Sequence, residues 1–369
     1  MDDDALSGEI ISPGSPSTSS SDRSLALVRR ISRGAPPADM QNLVHGAIGE
    51  AVAEAASYAD AAISEATRNA YLQAWAHFDG WCRGMHVDPD ALPLNPVLVA
   101  AYLGALAKSH GISALRGRVA AIAYHHRRRG FTFLPTHPVI RETLSGIRRS
   151  HPRKVRPAAA LCSQEVKQLL NVCPTDLAGL RDRALFLVGF AGAFRRSELV
   201  AIDRDHVRFE ASMVIIHAPR SKRDQEGKGA DVTLPRMRDP DTGIVSDTGI
   251  VSDTCPVRAL ETWLARGRIR RGAVFRGITR HGTIEERLTP RALRLILLKR
   301  AALAKLTVHD SERLSPHGLR AGFITEAYLN GALDEQVGAH VRHDDLRSTR
   351  GYRRRARITE DNPARLLDL

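Results

Sequence analysis

The sequence predicts a mainly α-helical chain with one small antiparallel β-sheet, divided into two domains. Apolar and aromatic residues recur at helical spacing over most of the chain, beginning with Tyr71, Trp75 and Phe78. Two strand-like segments, 212–216 and 231–234, flank a polar turn that contains glycine, which is typical of a hairpin. A basic stretch with prolines separates the two helical regions.

Composition divides the chain into four segments. Residues 1–55 are rich in serine and poor in large apolar residues, so they predict a disordered tail that cannot offset the entropy of ordering. Residues 56–149 predict a small helical domain. Residues 150–158 combine prolines with Arg and Lys and predict a basic linker, and residues 159–369 predict the second domain.

Helix positions follow from apolar periodicity and from start and stop residues. Ser64 or Thr67 is available as the N-cap of the first helix. Three more helices of the first domain are predicted at 96–109, 113–129 and 139–149. Those of the second domain are predicted at 164–173, 176–193, 256–265, 290–306, 316–329, 333–340 and 346–355.

The chain is strongly basic, with a formal net charge of +13 from 54 Lys and Arg residues against 41 Asp and Glu residues. This charge favours a polyanionic partner, because phosphate contacts release counterions. Nucleic acid fits better than a membrane, since no apolar run approaches the ~20 residues that span a bilayer. The start Met1-Asp2-Asp3-Asp4 lacks the basic residues of a secretory signal, so we expect a cytoplasmic protein.

Neither a metal nor a cofactor is expected. Cys82, Cys162, Cys173 and Cys255 are scattered without a Cys-x-x-Cys pair, so neither a zinc site nor a disulfide framework is indicated. The sequence also lacks the glycine-rich loop with Lys and Ser or Thr that binds nucleotide phosphates.

Six residues occur in an order and spacing that suit cleavage of a DNA phosphodiester by a tyrosine. They are Arg195, Lys222, His317, Arg320, His343 and Tyr352. The last four lie within 36 residues, and the second His precedes the Tyr by nine positions. In its order and motifs this set resembles the tyrosine recombinase (phage integrase) family, including its Cre-like members.

The resemblance implies covalent catalysis and assigns a role to each residue. Tyr352 is the expected nucleophile. Arg195 and Arg320 are expected to stabilise the charge that develops on the phosphate oxygens. Glu198, one turn after Arg195, is expected to brace the neighbouring groups.

The remaining roles concern protons and hydrogen bonds. His317 follows Ser315, the expected N-cap, and a helix start disfavours imidazolium, so His317 is expected to act as a neutral base. Lys222 is expected to protonate the leaving 5′ oxygen. His343 is expected to donate a hydrogen bond to the scissile phosphate. The family usually has Gly before this His, where this chain has Arg342.

Each assignment has a competitor nearby. Arg196 competes with Arg195, Lys228 with Lys222, His340 with His343, and Tyr328 with Tyr352. Tyr328 lies on an apolar helix face that predicts a core position, and His340 lies farther from Tyr352.

Basic residues outside this set are predicted to contact DNA. They are Arg116, Arg118, Arg127, Arg128, Arg129, Arg148, Arg149, Arg153, Lys154, Arg156 and Lys228. The run 127–129 ends a predicted helix, so part of it is also a cap that interacts with the helix dipole, although DNA contact is the favoured interpretation.

The resemblance implies a two-domain clamp around DNA, formed by a SAM-like core-binding domain and a catalytic domain. We expect site-specific recombination through a 3′-phosphotyrosine intermediate, by a homotetramer that bridges two double-stranded DNA sites. Two alternatives remain open: a type IB topoisomerase-like relaxing enzyme with nearly the same residues, and a catalytically silent DNA-binding protein.

Overall fold

The computed structural model describes residues 46–154, 156–218, 229–237, 254–342 and 351–353. The chain divides into two compact units after Lys154, inside the basic stretch 150–158. Both units are mainly helical, and the described strands, which all lie in the second unit, form small antiparallel sheets. This confirms the predicted fold class.

The first unit contains five described helices. They are α1 (Gly46–Ala61), α2 (Glu65–Gly84), α3 (Pro96–Leu106), α4 (Ile112–Arg128) and α5 (Pro138–Ser150). Helix α1 corrects the sequence prediction, because it begins within the segment 1–55 that was expected to be a disordered tail. Its sequence is rich in alanine, which has the highest helix propensity and needs no large apolar residue to form a helix.

The core of the first unit lies where α2, α3, α4 and α5 meet. Phe78, Tyr102, Leu115 and Ile140 are each fully buried there, one from each helix. Ser64 caps α2, and its Oγ accepts a hydrogen bond from the backbone N–H of Thr67 at 3.3 Å. The aromatic spacing noted in the sequence therefore marks the packing face of α2.

The second unit contains seven described α-helices and one 3₁₀ turn at Arg204–His206. The helices are α6 (Ser163–Asn171), α7 (Leu177–Ala191), α8 (Arg196–Ala201), α9 (Pro256–Arg266), α10 (Pro290–Leu303), α11 (His317–Leu329) and α12 (Asp334–Val341). Helix α7 is buried along most of its length and packs against both α9 and α11. Helix α7 is therefore the central helix of the second unit, and one of its partners, α11, carries the predicted catalytic residues His317 and Arg320.

Two small sheets flank these helices. The first has the order β1 (Val207–Phe209), β2 (Met213–Ala218) and β3 (Ala230–Pro235), all antiparallel, with Ile216 opposite both Val207 and Val232. The second consists of β4 (Arg276–Ile278) and β5 (Ile284–Arg287). The prediction of a single sheet is therefore wrong, because strands of three or four residues are too short to show an alternating pattern.

Candidate active site

Helix α11 carries two of the predicted catalytic residues, His317 and Arg320, one turn apart. It packs closely on the segment before α6 that contains Leu161, because α11 has glycine at positions 318 and 322. A Cβ atom at Gly322 would lie 1.8 Å from the carbonyl oxygen of Leu161. The backbone N–H of Leu161 in turn donates to the carbonyl of Gly318 at 2.9 Å. The position of His317 and Arg320 is thus set by backbone packing.

The start of α11 differs from the sequence prediction. Ser315 was expected to cap the helix, but the N-cap position is Pro316 and no side-chain capping bond is present there. The backbone N–H of Gly318 already donates to the carbonyl of Ser315 at 2.8 Å. The Ser315 hydroxyl is buried and has no hydrogen-bond partner among the described residues. A backbone turn therefore replaces the expected side-chain cap.

Arg195 is held by Glu198 at the start of α8. One Glu198 oxygen, Oε2, accepts from the backbone N–H of Arg195 at 3.0 Å, and the other, Oε1, accepts from its Nη1 at 2.6 Å. The Glu198 side chain is 2 % exposed, whereas that of Arg195 is 29 % exposed. The competing Arg196 is exposed. Glu198 thus anchors Arg195 while part of the guanidinium remains accessible.

Arg320 is buried despite its charge, with 1 % of the residue exposed. Its Nη1 donates to the carbonyl of Ala193 at 2.6 Å, and its Nη2 donates to the carbonyl of Val341. Burial, with the nearby charges of Arg195 and Arg342, lowers the pKa of Arg320 to about 10, although Glu198 opposes this. Arg320 therefore remains a cation at neutral pH.

Arg342 places a third guanidinium group near those of Arg195 and Arg320. It follows α12 in the left-handed conformation, with φ 56° and ψ 54°. Its Nη2 donates to Glu198 Oε2 at 3.1 Å, and its guanidinium carbon lies 4.8 Å from the centre of the Phe194 ring. In the sequence Arg342 was only a departure from the family pattern. Its partner Glu198 is 144 positions away, a contact that no local pattern predicts.

Glu198 is therefore a buried carboxylate between two guanidinium groups. Burial alone raises the pKa of Glu198, but the hydrogen bonds from Arg195 and the charges of Arg342 and Arg195 outweigh it. The net pKa lies below that of an ordinary glutamate. The cluster has one negative charge, on Glu198, and three positive charges, on Arg195, Arg320 and Arg342. Its net positive charge suits a phosphate group.

His317 and Tyr352 meet directly. The Nε2 atom of His317 lies 3.0 Å from the hydroxyl of Tyr352, within hydrogen-bond distance. The two residues are 35 positions apart in the chain. Tyr352 lies in the short described helical segment 351–353 and packs on a small apolar cluster that includes Ile324 and Val341. The structure thus brings together the predicted base and the predicted nucleophile.

Two of the competing residues have structural partners. The hydroxyl of Tyr328 donates to Asp334 at 2.9 Å, and Tyr328 is 3 % exposed. His340 donates from Nε2 to the carbonyl of Ala191 at 2.7 Å and stacks on Phe323 with ring centres 4.6 Å apart. Burial lowers the pKa of His340, so its ring is neutral at neutral pH. Both contacts favour packing roles.

Comparison with known proteins identifies the family. The phage integrase family profile matches residues 160–357, more than half of the chain. The chain is also 33 % identical over 301 residues to the integrase/recombinase xerD homolog of Selenomonas ruminantium, covering 80 % of this chain and 83 % of that one. This chain belongs to the phage integrase family. Tyrosine recombinase XerC of Syntrophus aciditrophicus is 26 % identical over 311 residues, covering 79 % and 87 %.

Solved structures show the same fold. The post-cleavage complex of XerH recombinase with a palindromic difH substrate aligns with a TM-score of 0.57 at 13 % identity, over 94 % of this chain and 96 % of that one. A lambda integrase dimer on a COC′ core site aligns with a TM-score of 0.52 at 13 % identity, over 79 % and 89 %. The family match and the sequence relatives class the chain as a tyrosine-type site-specific recombinase.

Three predicted site residues of this phage integrase family member lie outside the described residues. They are Lys222, Lys228 and His343. The described strands on either side of the two lysines are β2, which ends at Ala218, and β3, which begins at Ala230. Both lysines therefore belong to the connection between two paired strands, as the hairpin pattern predicted.

The first unit has a cleft of about 500 Å³ whose polar lining is rich in arginine. Arg116 and Arg127 reach it from α4, and Arg141 and Arg148 reach it from α5. All four are exposed. Three of them were predicted to contact DNA, whereas Arg141 was missed because it stands alone in the sequence, away from any basic run. The cleft presents four cations on one surface of the recombinase.

Other predicted DNA contacts have partners within the protein. Arg118 is half-buried and donates to the hydroxyl of Tyr102 at 2.8 Å and bonds to the ring of His110 at 2.9 Å. Both terminal nitrogens of Arg118 therefore take part in bonds within the first unit. Arg129 pairs with Asp90 at 2.7 Å, and Arg153 donates to two backbone carbonyls of the segment 108–109. Arg128, Arg149, Lys154 and Arg156 are exposed.

Two further features bear on the expected chemistry. Among the described residues, no group of three or more His, Cys, Asp or Glu side chains is placed to hold a metal ion. None of the helices in the described part of the chain is long and apolar enough to cross a membrane.

Proposed function

We propose that this recombinase cleaves and rejoins double-stranded DNA through a 3′-phosphotyrosine intermediate at Tyr352. The observation that carries this proposal is the 3.0 Å distance between the Tyr352 hydroxyl and Nε2 of His317, beside the three-arginine cluster. A phenol is a weak nucleophile at neutral pH, and an adjacent neutral imidazole activates it by accepting its proton.

The proposed cleavage conserves bonds and protons. The Tyr352 oxygen forms a bond to phosphorus while the bond from phosphorus to the 5′ oxygen breaks. His317 accepts the phenolic proton, and Lys222 donates a proton to the leaving 5′ oxygen. Rejoining reverses these steps when a 5′ hydroxyl attacks the phosphotyrosine. Side chains of this chain supply every charge and proton, so the chemistry requires neither a metal nor ATP.

Arg195 and Arg320 act in this proposal on the charge of the reacting phosphate. Arg195 is partly accessible and is anchored through Glu198, so its guanidinium can contact a phosphate oxygen with little loss of entropy. Arg320 is buried, so its charge acts through a medium of low dielectric, where electrostatic effects are stronger than in water. His343 completes the proposed set as a hydrogen-bond donor to the same phosphate.

The proposed assembly follows from the chemistry of exchange. Exchange between two duplexes cuts four strands, and each cut consumes one tyrosine, so four protomers are required if each supplies one Tyr352. The arginine-lined cleft of the first unit supports DNA contact through Arg116, Arg127 and Arg148. Because its partner is DNA, we also propose that the protein acts in the cytoplasm.

Covalent trapping tests the proposal. Duplexes that bind the protein are first enriched from a random-sequence pool. Each duplex is then nicked at successive positions. When the protein cleaves beside a nick, a short fragment is released and cannot be rejoined, so the covalent adduct is trapped. We expect an adduct with the wild-type protein and none with Tyr352→Phe, which should still bind the duplex. Tyr328→Phe is the matched control and should form the adduct. An adduct with Tyr352→Phe would refute the assignment.

A further inference from the structure

Arg342 occupies a backbone position that favours glycine. Its φ of 56° and ψ of 54° lie in the left-handed region, where a side chain is disfavoured. The side chain is only 11 % exposed, so it is also removed from most of its water. Both features are unfavourable, and contacts of the guanidinium must offset them.

Those contacts all lie within the candidate active site. Nη2 bonds to Glu198 at 3.1 Å, and Nη1 lies 3.3 Å from the carbonyl of Gly192. The guanidinium lies over the face of Phe194. Arg342 therefore links the end of α12 to the turn between α7 and α8, which precedes Arg195.

Glu198 transmits the effect of this link to Arg195. The same Oε2 atom that accepts from Arg342 also accepts from the backbone N–H of Arg195. The other oxygen of the carboxylate accepts from the Arg195 guanidinium. A carboxylate held on both sides has fewer orientations available, and so does the guanidinium bonded to it.

We propose that Arg342 is a positioning residue that holds the Glu198 carboxylate against Arg195 and so fixes the Arg195 guanidinium for its work on the DNA phosphate. This inference rests on the proposed function, because it assumes that Arg195 acts on the scissile phosphate. Arg342 itself does not touch DNA in this proposal, since little of it is exposed.

The proposal predicts a specific pH dependence. The charged or titratable groups around Glu198 are Arg195, Arg320, Arg342 and, behind Arg342, His340. Burial raises the pKa of Glu198 and the arginines lower it below its usual value. Removing Arg342 should therefore raise the pKa of Glu198. The carboxylate would then be protonated, and Arg195 released, at a higher pH than in the wild-type protein.

The experiment measures the rate of covalent adduct formation at saturating protein, on a nicked duplex that traps the wild-type protein. We expect Arg342→Ala to slow the rate by roughly tenfold or more, as for loss of a charge-assisted hydrogen bond. The acidic limb of its pH profile should move to higher pH, while the affinity for the duplex stays near the wild-type value. Arg208→Ala, which removes an exposed arginine paired with Glu210, is the charge-matched control and should leave the rate unchanged.

A double-mutant cycle separates this proposal from a general structural effect. In a Glu198→Gln background, Arg342→Ala should have little further effect on the rate, because its proposed partner is already altered. An equal loss in both backgrounds would overturn the proposal. The Arg342→Gly variant gives a second test, because glycine suits the left-handed backbone at this position and the variant should fold. A wild-type rate and pH profile for Arg342→Gly would also overturn the proposal. Either result would leave the role of Tyr352 intact, because the wild-type adduct is measured in the same experiment.

Discussion

The buried guanidinium of Arg320 donates a hydrogen bond of 2.6 Å to the carbonyl of Ala193, a residue in the left-handed conformation with φ 45°. Ala193 lies in the turn between α7 and α8, two residues before Arg195. Arg320 thus connects α11 to this turn from inside the protein, while Arg342 connects α12 to it. Arginine contacts thus connect two consecutive helices, α11 and α12, to one short turn far upstream in the sequence.

The first prediction concerns Arg320→Lys. Lysine keeps the positive charge, but a single ammonium group cannot reproduce the fork that bonds to both Ala193 and Val341. We expect adduct formation to slow by ~10²-fold or more, the usual effect of losing a preorganised electrostatic contact. A buried carbonyl left without a donor should also lower the free energy of unfolding by ~1–3 kcal/mol.

Single-turnover trapping and thermal unfolding check this prediction together. Arg300→Lys is the structural control, because Arg300 is also buried but pairs with Asp182, away from the candidate site. It should lower stability and leave adduct formation by the folded protein near the wild-type rate. A near wild-type rate for Arg320→Lys would show that only the charge at this position matters.

The second prediction compares two arginines on α4. Arg116 is exposed and lines the basic cleft, whereas both terminal nitrogens of Arg118 bond to Tyr102 and His110. Arg116→Ala should reduce the slope of log affinity against log salt by about 0.9, the value for one phosphate contact. Arg118→Ala should leave that slope unchanged and lower the melting temperature.

Fluorescence anisotropy of a labelled duplex over a series of salt concentrations gives the slope for each variant, and thermal unfolding gives the stability. A changed slope for Arg118→Ala would place Arg118 in the DNA interface. An unchanged slope for Arg116→Ala would remove this part of the cleft from the proposed interface.

The third prediction distinguishes Lys222 from Lys228 as the donor of the leaving-group proton. A bridging 5′ sulfur leaves without protonation, so a substrate with this replacement should rescue the variant that lacks the general acid. We expect cleavage by Lys222→Ala to be rescued and cleavage by Lys228→Ala to be little changed by the sulfur. The reverse pattern, measured as single-turnover cleavage of oxygen and sulfur substrates, would assign the role to Lys228.

Local signals in the sequence were sufficient for most of the helices. Ser64 and Asp176 are found as N-caps, with side chains that accept hydrogen bonds from Thr67 and Gly179. Prolines mark the starts of several helices because their fixed φ suits the first turn. These signals depend on a few neighbouring residues, so a single sequence contains them.

Features that depend on distant partners could not be predicted in this way. The sequence showed that Arg342 stands where the family has Gly, but its bond to Glu198 and its left-handed backbone depend on the packing of α12 near α7. The bonds of Arg118 to Tyr102 and His110 are likewise not visible in the basic helix pattern that predicts a DNA contact. The charge of a side chain is visible in the sequence, whereas its partner is not.

The last prediction concerns the glycine that lets α11 approach the segment before α6. A Cβ atom at Gly322 would lie 1.8 Å from the carbonyl oxygen of Leu161, and backbone atoms cannot move away as a flexible side chain can. Gly322→Ala should therefore force α11 outward and lower the free energy of unfolding by ~1–3 kcal/mol, as overpacking usually does. Because α11 carries His317 and Arg320, adduct formation should also slow, even at temperatures where the variant is folded.

Gly104→Ala provides the matched control for this prediction. Gly104 lies within helix α3, and a Cβ atom there would meet nothing within 4 Å. The same substitution should raise stability by about 0.4–1 kcal/mol, because alanine restricts the unfolded chain without a clash. Thermal unfolding and adduct trapping of both variants check the pair. If Gly322→Ala were as stable and as active as the wild-type protein, the close contact between α11 and Leu161 would not be what positions His317 and Arg320.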